Sequence, residues 1–173
     1  MSRRGKRILR RLTILLLSQV KWSEDGQSLY IGGLDNDVHV FSLTSHSVTY
    51  SLRSHADTVT SLSLSPNSQQ LLSVGADSVL NLWNIQPFAP TVNTTNPTLH
   101  PRLLRSFYGA PSGFEGLLRK ASWSRHETSS IQGGGSMIAV GGADRALTVW
   151  DATTGEIRYK VNLVCLASIS SIR

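Results

Sequence analysis

A chain of 173 residues, 40% hydrophobic and 16% charged, is long enough to bury one core, and its ordinary makeup excludes a disordered chain. The formal charge of +6 is confined to one end: Arg3, Arg4, Lys6, Arg7, Arg10 and Arg11 precede every acid, and the rest holds 11 bases against 11 acids. A neutral body with a short basic arm does not point to a nucleic-acid-binding surface. Cys165 is the single cysteine, so no disulfide can form within the chain.

Residues 1–17 form a basic and apolar leader. The run Leu12-Thr13-Ile14-Leu15-Leu16-Leu17 resembles the start of a secretory signal. It is too short to span a bilayer, and no small-residue cleavage site follows it, so no membrane role is expected.

Strand-like Val20-Lys21-Trp22-Ser23 comes next, then the turn residues Glu24-Asp25-Gly26 and the apolar Leu29-Tyr30-Ile31. Gly32-Gly33 precede Asp35-Asn36-Asp37-Val38-His39-Val40-Phe41. The same succession returns with Leu62-Ser63-Leu64-Ser65, Pro66-Asn67-Ser68, Leu71-Leu72, Gly75-Ala76 and Asp77-Ser78-Val79-Leu80-Asn81-Leu82-Trp83. It returns again with Ala121-Ser122-Trp123-Ser124, a longer turn over 125–136, Met137-Ile138-Ala139-Val140, Gly141-Gly142-Ala143 and Asp144-Arg145-Ala146-Leu147-Thr148-Val149-Trp150.

Each unit carries an Asp, apolar residues three and five positions on, and an aromatic at six. Positions three and five are two apart, so they share one face of a strand. The Asp falls in the turn of a hairpin, and the glycines before it are expected to supply the turn's backbone angles. Asp77 follows Asp35 by 42 residues, within the period of about 40–45 known for propeller blades. Asp144 follows Asp77 by 67 residues, which adds an insertion. The reading is three blades, at 18–53, 54–85 and 117–161, an insertion over 86–116, and a tail, 162–173, that fits no blade.

These residues resemble the WD-repeat family, whose blades have four strands and end in Trp-Asp. Trp150-Asp151 matches in full; Trp83-Asn84 and Phe41-Ser42 are degenerate. The resemblance implies a hydrogen-bonded network of a His, a Ser or Thr, the turn Asp and the Trp. The second unit offers all four, His55, Ser73, Asp77 and Trp83; Asp35, Asp144 and Trp150 hold the matching positions elsewhere. Ile31 and Val140 stand where the hydroxyl would be. A buried Asp is costly unless hydrogen-bonded, so the network's expected role is to fix blade geometry.

Further runs narrow the resemblance. Ser54-His55-Ala56-Asp57-Thr58-Val59, Leu117-Leu118-Arg119-Lys120 and above all Pro87-Phe88-Ala89-Pro90 resemble WD-repeat subunits of the U5 small nuclear ribonucleoprotein, which associate with the splicing factor Prp8. That implies a non-catalytic, nuclear, protein-binding scaffold of pre-mRNA splicing that meets RNA only indirectly, through the complex. Phe88, Phe107, Tyr108 and Arg119 in and beside the insertion are the expected partner contacts, because aromatics and arginines anchor interfaces. A general adaptor, such as a substrate receptor of a ubiquitin ligase acting in the cytoplasm, is the alternative.

Such propellers usually have seven blades, and three cannot close a ring. The expected architecture is all-β: an open arc, part of a longer propeller or a non-functional truncated product. His39, His46, His55, His100 and His126 show no metal-ligand spacing with Cys165, and neither a nucleophile elbow nor a phosphate loop occurs. No enzyme activity, cofactor, metal or small-molecule substrate is expected.

Overall fold

The computed structural model describes residues 17–88, 99–112, 120–124 and 136–162. These residues form twelve strands and no helix, in three four-stranded sheets. The first sheet holds β1 (Leu17–Trp22), β2 (Ser28–Gly33), β3 (Asp37–Ser42) and β4 (Ser47–Arg53), in that order. The second holds β5 (Val59–Leu64), β6 (Gln70–Gly75), β7 (Leu80–Asn84) and β8 (Leu103–Phe107). The third holds β9 (Ala121–Trp123), β10 (Met137–Gly141), β11 (Ala146–Asp151) and β12 (Ile157–Asn162). All pairings are antiparallel. Each sheet is one blade, and the three form an arc that does not close into a ring.

The blades stack face to face, and we call the face towards the following blade the front and the opposite one the back. Val38, Val40 and Leu52 on the front of blade 1 pack against Leu71, Trp83 and Leu103 on the back of blade 2. Leu80, Leu82 and Phe107 on the front of blade 2 pack against Ile138, Val140 and Trp150 on the back of blade 3. The burial pattern along each strand follows. In β3 and β11 buried residues alternate with partly exposed ones, whereas Leu80, Asn81, Leu82 and Trp83 of β7 are all buried. A strand covered on both faces loses the two-residue alternation.

The expected insertion over 86–116 is interrupted. Leu103–Phe107 is the fourth strand of blade 2, which therefore extends well past residue 85, with Leu80 opposite Phe107 and Trp83 opposite Leu103. A bulge between Leu82 and Trp83 shifts the register, so Leu103 and Phe107 fall out of simple alternation, and neighbouring prolines disguise the strand further. Phe107 is consequently not a surface anchor: it is 2% exposed and meets Trp150 edge-on at 6.1 Å between ring centres.

The turns also differ in detail from the sequence reading. The left-handed backbone falls on the residue after each turn Asp, at Asn36, Ser78 and Arg145, and not on the preceding glycines. Glycine is required there for space instead: a Cβ on Gly75 would collide with Asp77 Oδ1 and His55 Nδ1, and one on Gly142 with Asp144 Oδ1.

Phe107→Ala should therefore destabilise the fold by about 3–5 kcal/mol, as large-to-small core substitutions do. Urea denaturation measures it; a partner-contact residue would leave the unfolding midpoint unchanged.

Candidate functional site

His55, Ser73, Asp77 and Trp83 are brought together on the back of blade 2, facing blade 1. Trp83 Nε1 donates to Ser73 Oγ at 2.8 Å, and Ser73 Oγ lies 2.7 Å from His55 Nε2. His55 Nδ1 lies 3.1 Å from Asp77 Oδ2. An indole can only donate, so the neutral His55 carrying its proton on Nδ1 satisfies every donor and acceptor in this chain. Asp77 also accepts the amides of Ala56 at 2.9 Å and of Val79, in its own turn, at 3.1 Å. The amide of Ala56 lies at the blade's entry, so the carboxylate ties that entry to the β6–β7 turn.

A fifth member carries no signature in the family pattern. Asn81, fully buried four residues after Asp77, places Nδ2 at 3.3 Å from His55 Nε2 and accepts the Ser106 hydroxyl at 2.6 Å. Its sequence signal is a polar residue between the apolar positions three and five. In blade 1 that position is His39, whose ring bridges Asp35 Oδ2 and Ser51 Oγ, both at 2.7 Å. In blade 3 it is Thr148, whose buried Oγ1 has no partner among the described residues. The network thus runs from complete in blade 2, through a substitute in blade 1, to an orphan hydroxyl in blade 3. Asp144 is held instead by Lys160 Nζ at 2.9 Å and the Ala146 amide at 3.2 Å. Trp150 Nε1 donates across the blade boundary to the Tyr108 carbonyl at 3.3 Å.

Burial alone would raise the Asp77 pKa. The His55 hydrogen bond and the Ala56 and Val79 amides outweigh it, and the carboxyl titrates below its ordinary value. For Asp144 the Lys160 hydrogen bond is the main cause of a downward shift.

Asp35, Asp37 and His39 bring ligand-type atoms within 4.8 Å of one another. Asp37 already holds Arg53 Nε at 3.0 Å and His39 holds Asp35 and Ser51, so these groups satisfy each other without an ion.

The expected partner contacts lie apart from the network. Phe88 is 98% exposed and Tyr108 66% exposed; Arg119 lies outside the described residues. Phe88 and Pro87 border a groove of about 1000 Å³ between blades 1 and 2, with Tyr30, Tyr50 and Arg102. Arg102, within the expected insertion, turns inward. Its guanidinium sits 4.6 Å above the centre of the Tyr50 ring and donates to the carbonyls of Gln86 at 2.7 Å and Asn84 at 3.2 Å. It fastens the segment leading to Phe88 onto blade 1.

Residues 46–84, covering β4 to β7, match the family described as "WD domain, G-beta repeat". The three four-stranded sheets match the blades of a partial WD-repeat propeller. The chain is 37% identical, over 82% of its length, to the U5 small nuclear ribonucleoprotein 40 kDa protein of Homo sapiens. To the protein of that name in Dictyostelium discoideum it is 33% identical over 74% of the chain, and to the pre-mRNA-splicing factor cwf17 of Schizosaccharomyces pombe 29% identical over 83%. The chain spans 35% of the human relative, 43% of the Dictyostelium one and 37% of the yeast one.

Two outcomes test the network. The depressed Asp77 pKa means that its stabilisation is present above the unfolded-state value near 3.9 and is lost as pH falls through the folded-state value. Asp77→Asn should therefore lower stability at pH 7 and make it depend less steeply on pH between about 5 and 2, measured by urea unfolding at each pH. Thr148→Val removes a buried hydroxyl that has no partner among the described residues and should stabilise by about 1 kcal/mol, seen as a higher melting temperature.

Proposed function

We propose that this chain is a non-catalytic protein-binding scaffold of pre-mRNA splicing, resident in the nucleus. The observation that carries the reading is the 37% identity over 142 residues to the U5 ribonucleoprotein 40 kDa protein, with the splicing factor cwf17 as a second, more distant relative. The site chemistry agrees with it. The polar network of blade 2 is turned inward and spends its hydrogen bonds on itself, so recognition falls to loops and edges.

Exposed Phe88, held at the mouth of the groove by the Arg102-anchored segment, and exposed Tyr108 supply aromatic anchors of the kind that dominate protein interfaces. The partner is a large spliceosomal protein of the Prp8 type, and RNA is met through that complex.

Tagged protein recovered from nuclear extract should bring down U5 components including the Prp8-type protein, identified by mass spectrometry. Recovery of a cullin complex in their place overturns the reading. Phe88→Ala with Tyr108→Ala should reduce that recovery by about tenfold or more, as expected for lost interface anchors, with an unchanged melting temperature.

A further inference from the structure

The groove between blades 1 and 2 has both of its walls within this chain. Tyr30 pairs with Val40 and Val40 with Tyr50, which sets the three in one row across β2, β3 and β4. Directly paired residues share a face, and this row faces blade 2. Adjacent strands lie about 4.8 Å apart, so the two tyrosines stand roughly 10 Å apart. The shorter Val40 between them leaves a slot, and Leu64 and Ile85 of blade 2 line the groove opposite.

Polar groups surround this apolar floor. Neither tyrosine hydroxyl has a hydrogen-bond partner among the described residues, and neither is sealed from solvent. Burial, with Tyr50 and Asp25 close by, pushes the Tyr30 hydroxyl up to about 12, and burial raises that of Tyr50 as well. Both therefore stay protonated and able to donate at neutral pH.

The charge left over is negative. Glu24 lines the groove and makes no ion pair among the described residues. Asp25 accepts the Ser23 hydroxyl at 2.5 Å and the Gln27 amide at 2.9 Å, and these bonds hold its carboxyl below the ordinary value. Arg102, the one lysine or arginine among the described lining residues, is spent on the Tyr50 ring and on the carbonyls of Asn84 and Gln86. The groove thus offers an apolar slot, two hydroxyl donors and two carboxylates. An anionic strand of nucleic acid meets repulsion at the rim, and a small cation leaves the slot empty. An extended polypeptide with a basic residue satisfies all three features.

We propose that this groove seats an extended segment of a protein partner, with an apolar side chain between Tyr30 and Tyr50 and a lysine or arginine beside it against Glu24 and Asp25. Backbone carbonyls of the segment accept the two tyrosine hydroxyls. Phe88, exposed at the mouth, packs on the aliphatic stem of the basic residue. The assignment rests on the protein-binding reading above, and it holds whether or not the partner belongs to splicing.

A display library of short random peptides, panned on the 173-residue chain, tests it. Enriched peptides should combine an apolar residue with a lysine or arginine one or two positions away. The best of them, labelled with fluorescein and followed by anisotropy, should bind more weakly as salt rises, because its charge contacts lie at an exposed rim. Glu24→Lys should weaken it about fivefold or more and flatten the salt dependence. Tyr30→Phe with Tyr50→Phe removes only the hydroxyls and should weaken it about tenfold. Trp22→Ser with Val161→Ser, at the ends of the arc, should leave the affinity unchanged. Circular dichroism checks the fold of each variant, and should Glu24→Lys unfold, the tyrosine pair decides.

Enrichment of acidic peptides or of no shared pattern overturns the proposal. So does tighter binding of single-stranded RNA than of any peptide, an affinity indifferent to Glu24→Lys and to the tyrosine pair, or one that falls with the end variants. Peptide binding that fails while U5 components are still recovered refutes the groove alone. Failure of that recovery while the peptide binds refutes the splicing reading alone.

Discussion

Face-to-face burial of blade against blade is the constraint on which the rest of this structure depends. A four-stranded sheet of short strands cannot hide its apolar residues by itself; it needs a cover on each side. Blade 2 has both covers, and its core side chains Leu71, Leu72, Val74, Leu80 and Trp83 are fully buried. The close approach also dictates small residues where backbones meet: a Cβ on Gly32 of blade 1 would press on Val59 of blade 2. The single Ser18 hydroxyl on β1 is shared between the Gly32 carbonyl and, across the blade boundary, the Val59 carbonyl.

Burying a carboxylate, an imidazole, an amide and a hydroxyl inside such a stack is tolerable only because they satisfy one another. Asp77, His55, Ser73, Trp83 and Asn81 do so with both ends of the chain of bonds anchored, one on turn amides and one on Ser106. Blade 1 reaches a similar end with different chemistry, through Asp35, His39 and Ser51. Blade 3 does not, since Val140 removes the hydroxyl acceptor and Thr148 has no partner among the described residues. The grading places the most complete network in the middle of the arc.

Much of this was legible in the residues. The spacing from Asp to aromatic located three hairpins, and the four-stranded blade of the family they resemble accounts for the first strand of each unit. What escaped was governed by partners distant in sequence. Leu103–Phe107 looked like part of a proline-rich insertion because its alternation is broken by a bulge opposite Trp83. Phe107 looked like an anchor for another protein because nothing local shows that Trp150 comes to cover it. Nothing local assigns Arg102 a place, and only the nearness of Tyr50 and of the Gln86 carbonyl turns it inward. Asn81 was hidden because its value lies in a contact with His55, 26 residues away.

The sequence by itself determined the unit: which residues alternate, where the hairpins turn, and which polar side chains a blade must satisfy internally. These follow from local periodicity and from the chemistry of each residue. The tertiary structure alone decided which faces are covered. It made the middle blade buried on both sides, moved Phe107 from surface to core, and left Trp22 and Val161 in the open. Those outcomes depend on stacking, and stacking joins positions that no local pattern connects.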